Sequence, residues 1–132
     1  MKSKLKYLLI IIPLLFIGIQ FLWYIKANGN LIIYVSNWSQ KENNIELIIE
    51  IDGEKEVEEL LDEETFHNYL VVPLKLKLGS HSIKVYDKGK TFSLEKNLSL
   101  FSVRWLTFEI SDNINGGLRV NHFANYLPPT IE

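Results

Sequence analysis

The sequence predicts a single N-terminal transmembrane helix followed by a mainly-β antiparallel sandwich, Ig-like or transthyretin-like. One long apolar stretch opens the chain, and shorter segments with alternating apolar and polar residues follow it. Turn residues separate these segments about every 8–12 positions, which is typical of sandwiches. We therefore divide the chain into cytoplasmic lysines and an anchor at 1–26, a linker at 27–30, a sandwich at 31–122 and an extended tail at 123–132.

The anchor is predicted by its length and by the residues that flank it. Residues 7–25 would form a helix of about 28 Å, close to the hydrocarbon thickness of a bilayer. Trp23 and Tyr24 near its end carry rings that favour the membrane interface. Three lysines precede the stretch and only Lys26 closely follows it, which predicts a single-pass signal-anchor with a cytoplasmic N-terminus and an extracytoplasmic domain. Three residues interrupt the apolar composition: Pro13, Gly18 and Gln20.

The alternative to a retained anchor is a signal peptide that is cleaved after Gly29. Ala27 and Gly29 place small residues at the −3 and −1 positions of such a cut. Retention is favoured because the apolar stretch exceeds the roughly 7–15 residues of a signal-peptide core and because Lys26 intervenes. The chain has no Cys, which excludes disulfides and a lipid-attached Cys.

Charge is unevenly distributed along the chain. All 16 acidic residues follow residue 26, whereas four of the 14 basic residues lie at or before it, so the remaining chain carries a formal net charge of −6. Nucleic-acid binding requires clustered Lys and Arg, and we therefore expect no nucleic-acid partner.

The strands are predicted from period-two alternation and from turn residues. Asp52-Gly53 supplies the two positive-φ positions of a type I′ turn, which predicts a tight hairpin. The heavily charged segment after this turn is typical of an edge strand, although Glu and Leu also favour a helix over 54–68. Residues 101–110 are apolar on both faces, which predicts a central strand. The predicted strands are 31–35, 45–51, 54–60, 69–78, 81–86, 91–94, 101–110 and 118–122.

Residues 72–110 resemble part of a known class of β-sandwich. They contain a Leu-Gly-Ser-His turn over 78–81, then Ile83 and Val85, and then Gly89. This stretch resembles PEGA-type and carboxypeptidase-regulatory-like modules, although the Pro-Glu-Gly-Ala signature is absent. The resemblance implies a β-sandwich that acts as a non-catalytic spacer or binding platform.

Two groups of residues are candidates for contact with a ligand or partner. Trp38, Phe123 and Tyr126 are aromatic residues in polar segments, and such rings stack on sugars or anchor a protein partner. The alternative is that each ring packs over the end of a sheet. Nine acidic residues lie within 50–64, which favours contact with a basic partner or a solvated edge strand. The acidic candidates are Glu54, Glu56 and Glu58.

The sequence contains no motif that predicts catalysis, a metal site or a cofactor. His67, His81 and His122 are widely spaced, and no G-x-S-x-G pattern is present. An enzyme would instead require a cleft that gathers two of these histidines beside a carboxylate. We expect a membrane-anchored, extracytoplasmic, non-catalytic interaction or structural module, such as an accessory subunit of an envelope complex. The alternative is a module that binds carbohydrate or cell-wall polymer.

Overall fold

The computed structural model describes residues 2–40, 44–62 and 69–125, which form one helix and eight strands. The helix, α1, spans Lys2–Ala27 and includes a segment, Lys6–Lys26, that is long and apolar enough to cross a membrane. The strands are β1 Leu31–Asn37, β2 Ile45–Ile51, β3 Glu54–Leu61, β4 Leu70–Leu74, β5 Gly79–Asp87, β6 Ser93–Leu100, β7 Arg104–Asp112 and β8 Leu118–Asn125. The predicted helix and mainly-β sandwich are confirmed.

The strands form two four-stranded sheets. The first sheet has the order β4-β1-β7-β8, and the second has the order β3-β2-β5-β6. All neighbouring strands are antiparallel except β1 and β7, which run parallel with Leu31 opposite Arg104. β4 returns to the first sheet on one side of β1, and β7 later joins on the other side, between β1 and β8.

The core lies between the two sheets. Alternate residues of β1, β2 and β7 point inward, and the side chains of Leu31, Leu47 and Phe108 are completely buried. Burying such a side chain contributes roughly 1.5–3 kcal/mol relative to leaving it in water. β3 carries only two buried residues, Val57 and Leu61, because it lies at the edge of its sheet. The edge-strand prediction is confirmed, and over 54–61 the helical alternative is wrong.

Four connections meet at the end of the sandwich where α1 enters, which we call the proximal end. The β2–β3 connection is the predicted tight turn, with φ of 54° at Asp52 and 85° at Gly53. The opposite, distal end includes the β7–β8 turn around Ile114. The proximal connections are residues 28–30, 52–53, 75–78 and 101–103.

Two predicted strands are longer than those in the structure. The strand predicted over 69–78 ends at Leu74, because both backbone groups of Leu76 bond to the Asn30 side chain, with Nδ2 to O at 2.8 Å and N to Oδ1 at 2.9 Å. The strand predicted over 101–110 begins only at Arg104. The strand predicted over 91–94 lies further along the chain, since β6 spans Ser93–Leu100, and β8 runs to Asn125, three residues beyond the predicted domain boundary.

Candidate functional site

The first sheet has an outer face that is rich in aromatic residues. Leu31 and Ile33 of β1 point into the core, so Ile32 and Tyr34 point outward. In β8, Leu118 and Val120 contact the core, so the odd-numbered residues of this strand point outward. We call this surface the outer aromatic face. Its aromatic members are Tyr34, Tyr69, Trp105 and Phe123, with Trp38 at its distal margin.

The helix covers the proximal part of the outer aromatic face. The rings of Trp23 and Trp105 meet edge to face at a centroid separation of 5.0 Å, and Trp23 also packs against a small cluster that contains Ile32. Gln20 is buried, and its Oε1 accepts a hydrogen bond of 2.9 Å from the backbone N–H of Val103. The helix is therefore docked on the sandwich by both apolar and polar contacts.

The remainder of the outer aromatic face is open. Tyr34 and Tyr69 are in edge-to-face contact at 5.8 Å, and Phe123 lies beside Thr107 with half of its surface exposed. Trp38 is 45 % exposed, and its Nε1 donates to Oγ of Ser36, an outward-pointing residue of β1. An exposed aliphatic residue of β4, Val71, lies opposite Tyr34.

The aromatic contact candidates are only partly brought together. Trp38 and Phe123 belong to the same face, but they are about four positions apart along the strands and two strands apart across the sheet. Strand geometry puts their Cα atoms about 16 Å from each other. Tyr126, the third aromatic candidate, lies outside the described residues.

The acidic candidates lie on β3, at the edge of the second sheet. Glu54, Glu56 and Glu58 are all exposed. Glu58 forms an ion pair with Lys55, which lowers the pKa of Glu58 through a side-chain hydrogen bond and their charge attraction. On β2 a further acid, Glu46, pairs with Lys88 at 2.9 Å. The edge therefore carries mixed charge, with Glu54 and Glu56 adding to its acidity.

A polar cleft on the second sheet was not predicted from the sequence. The hydroxyl of Tyr86 donates to Oε1 of Glu50 at 2.5 Å, and this hydrogen bond raises the pKa of Tyr86. Nζ of Lys84 lies 5.4 Å from the centre of the Tyr86 ring. The cleft encloses about 310 Å³ and is also lined by Lys90 and Ser93. Its residues come from β2, β5, the β5–β6 connection and β6, so no local motif marked it.

His81 forms a structural pair with a carboxylate. Its Nδ1 lies 2.7 Å from Oδ2 of Asp52, and its Nε2 lies 2.7 Å from the carbonyl oxygen of Lys77. The bond to Asp52 and then the bond to Lys77 raise the pKa of His81. Oδ1 of Asp52 also accepts from the backbone N–H of Ser82 at 2.8 Å. Nδ1 thus holds the β2–β3 turn against β5, and Nε2 holds the β4–β5 connection against it.

The other histidines do not add to this pair in the described structure. His122 is on β8, and burial followed by the nearby charge of Lys96 lowers its pKa. His67 lies outside the described residues. Within 2–40, 44–62 and 69–125, no group of three or more His, Asp or Glu side chains is arranged to hold a metal ion.

Neither a protein-family model nor a curated protein sequence matches this chain.

Proposed function

We propose that this protein is a membrane-anchored, extracytoplasmic, non-catalytic interaction module. In this proposal α1 crosses the cell membrane once, with the N-terminus in the cytoplasm. The open part of the outer aromatic face binds a protein partner, and the protein acts as an accessory subunit of an envelope complex. One observation carries the proposal: α1 covers only part of the outer aromatic face, and the rest of this face exposes aromatic side chains.

The properties of α1 support the anchoring part of the proposal. The segment Lys6–Lys26 has a mean hydropathy of 2.4, and its side chains before Gln20 are exposed. An exposed apolar surface of this length is unfavourable in water and favourable in lipid. Lysines on the N-terminal side favour a cytoplasmic N-terminus.

The composition of the outer aromatic face supports the interaction part of the proposal. Exposed aromatic rings bury a large area with little loss of side-chain entropy, and they are enriched at the energetic centres of interfaces. Phe123 and Val71 are each about half exposed, and they belong to strands at opposite edges of the sheet. A partner that covers both would span the whole open face. Glu54 and Glu56 favour a partner with a basic rim, through long-range attraction.

The proposal is tested by affinity purification of the full-length chain from gently solubilised membranes. The unmodified chain is compared with a Trp38→Ala, Phe123→Ala double variant and with Ile114→Ala as a matched control. Ile114 is 97 % exposed at the distal end and lies outside the face. We expect a stoichiometric protein that the unmodified chain and the control retain and the double variant loses. If all three proteins retain the partner equally, the interface lies outside the outer aromatic face. If none of them retains a partner, the proposal is contradicted.

The second candidate function is binding of carbohydrate or cell-wall polymer. It is favoured by the location of Trp38 and Phe123, which are both about half exposed on one face. Their separation of about 16 Å suits an extended polymer better than a single sugar ring. Sedimentation of the full-length protein with purified cell-wall polymer tests it, since Trp38→Ala must weaken binding if the ring stacks on sugar.

A further inference from the structure

Two exposed apolar side chains lie at the proximal end beside the helix. Leu78, in the β4–β5 connection, is 69 % exposed, and Phe101, in the β6–β7 connection, is 75 % exposed. Both line a cleft of about 340 Å³, which they share with Phe16, Ile17 and Phe21 of α1. The cleft walls are thus formed by loop tips on one side and by the apolar helix on the other.

The position of Gln20 relates this end of the sandwich to the thickness of a bilayer. Gln20 contacts Val103 directly, so the sandwich begins at the level of Gln20. The apolar residues before it, 7–19, give a helix only about 20 Å long, whereas the hydrocarbon core of a bilayer is about 30 Å thick. The whole segment Lys6–Lys26 is about 32 Å long and matches that thickness. The membrane must therefore extend past Gln20 towards Lys26.

We propose that the proximal end of the sandwich inserts into the extracytoplasmic leaflet of the bilayer through Leu78 and Phe101. Lipid acyl chains fill the cleft between these two side chains and α1. This inference rests on the proposed anchoring of α1 and adds a second contact with the membrane, made by the β domain itself.

The backbone hydrogen bonds at the proximal end fit an apolar environment. Unpaired peptide groups are costly in hydrocarbon, so loops enter it only when their polar groups are bonded within the protein. The N–H of Val103 is bonded to Gln20, both backbone groups of Leu76 are bonded to Asn30, and the carbonyl of Lys77 is bonded to His81.

The charged residues nearby also fit a membrane interface. Lys75 and Lys77 are exposed and lie in the same connection as Leu78. Long Lys side chains reach from an apolar layer to lipid phosphates, which allows their charges to remain hydrated. Two basic residues therefore lie close behind Leu78, where their charges can reach the lipid phosphates.

The experiment uses spin labels on single cysteines, which the Cys-free sequence permits without background. Full-length variants Leu78→Cys and Phe101→Cys are labelled and reconstituted in phosphatidylcholine–phosphatidylglycerol vesicles. Ile114→Cys serves as the aqueous control and Ile12→Cys as the anchor control, since both side chains are exposed. Relaxation of each label is measured with oxygen, which partitions into lipid, and with a water-soluble nickel chelate. All four replaced side chains are exposed, and circular dichroism checks that each variant retains its β signal.

The expected result is oxygen-dominated relaxation at positions 78, 101 and 12 and nickel-dominated relaxation at position 114. If positions 78 and 101 behave like position 114 while position 12 stays oxygen-dominated, the insertion is wrong and the anchor stands. If position 12 is itself nickel-accessible, the anchor fails and the inference fails with it. Protection of positions 78 and 101 in native membranes but not in vesicles would assign the surface to a protein partner and overturn the lipid proposal.

Discussion

The indole of Trp23 contacts the indole of Trp105 edge to face, with ring centroids 5.0 Å apart and an interplanar angle of 89°. This pair joins the apolar helix to Trp105, the second residue of β7. The hydrogen bond from the Val103 N–H to Gln20 lies beside it in the same interface. Helix and sandwich are thus linked by an aromatic contact whose strength is measurable.

The first prediction concerns this aromatic pair. Trp23→Ala and Trp105→Ala, combined in a double-mutant cycle, should reveal a coupling free energy of about 0.5–1.5 kcal/mol, as measured for other aromatic pairs. The measurement is urea unfolding of the full-length protein in mild detergent. Leu22→Ala is the control, because Leu22 is exposed on the same helix and should show no coupling to Trp105. Strictly additive effects of the two Trp substitutions would show that the helix does not dock as described.

The second prediction concerns the core. Phe108→Ala removes a fully buried ring from a central strand and should lower the free energy of unfolding by about 3–5 kcal/mol. Ile114→Ala should change it by less than about 0.5 kcal/mol, because Ile114 is almost fully exposed. A small effect of Phe108→Ala would mean that Phe108 does not pack between the two sheets as described.

The third prediction concerns Asn30, which ties the helix–sandwich connection to residue 76. Asn30→Ala leaves both backbone groups of Leu76 without the side chain that bonds them, at a cost of about 1–3 kcal/mol for each group that stays buried. Asn97→Ala, at an exposed position of β6, is the control. Hydrogen exchange should also show faster exchange of the Leu76 amide in Asn30→Ala, and unchanged exchange there would contradict the assigned role.

The fourth prediction concerns the pH dependence given by His81 and Asp52. The folded pKa of His81 is raised above its ordinary value of 6.5, so the pair stabilises the fold fully below that value and its contribution is lost as pH rises through the folded pKa. The folded pKa of Asp52 is lowered below its ordinary value of 3.8, chiefly by the hydrogen bond from His81. The contribution of Asp52 to stability is therefore lost only as pH falls through that lowered pKa. The pair should therefore stabilise most in the mildly acidic range.

Asp52→Asn tests this window, because an Asn side chain keeps an acceptor for the Ser82 N–H but loses the charge opposite His81. The melting temperature of Asp52→Asn should fall furthest below that of the unmodified protein in mild acid, and the gap should narrow as His81 deprotonates. His81→Gln is the companion variant and should remove this dependence on pH. A gap that stays constant through the titration of His81 would show that the two groups do not form a charged pair.

Local signals predicted three strands of the second sheet well, β2, β3 and β5, but placed β6 too early in the chain. β2 matches the predicted range because Glu46 and Glu50 mark the period-two alternation, and the Asp52-Gly53 turn fixes the following hairpin. The parallel pairing of β1 with β7 was not predictable, because no local residue pattern encodes which distant strand becomes a neighbour. The sequence also predicts a strand at Phe101, which lies instead in the β6–β7 connection. An apolar residue is suited both to a strand and to this loop tip.

The candidate site was predictable only in part. The polar neighbours of Trp38 and Phe123 suggested rings at the surface, and both are about half exposed. The docking of α1 could not be predicted from the sequence. Gln20 only interrupts the apolar stretch there, and its hydrogen-bond partner, Val103, lies 83 residues further along the chain.

The parallel pair of β1 and β7 also has a consequence for the order of assembly. β1 follows the helix directly, yet its partner on one side, β7, is among the last strands to be synthesised. Until β7 emerges, β1 has only β4 beside it, and its other edge remains unpaired. Closing such a long loop is slow, and incomplete sheets aggregate or require a chaperone. A nascent chain released before residue 104 should therefore expose the unpaired edge of β1, at which other chains can add.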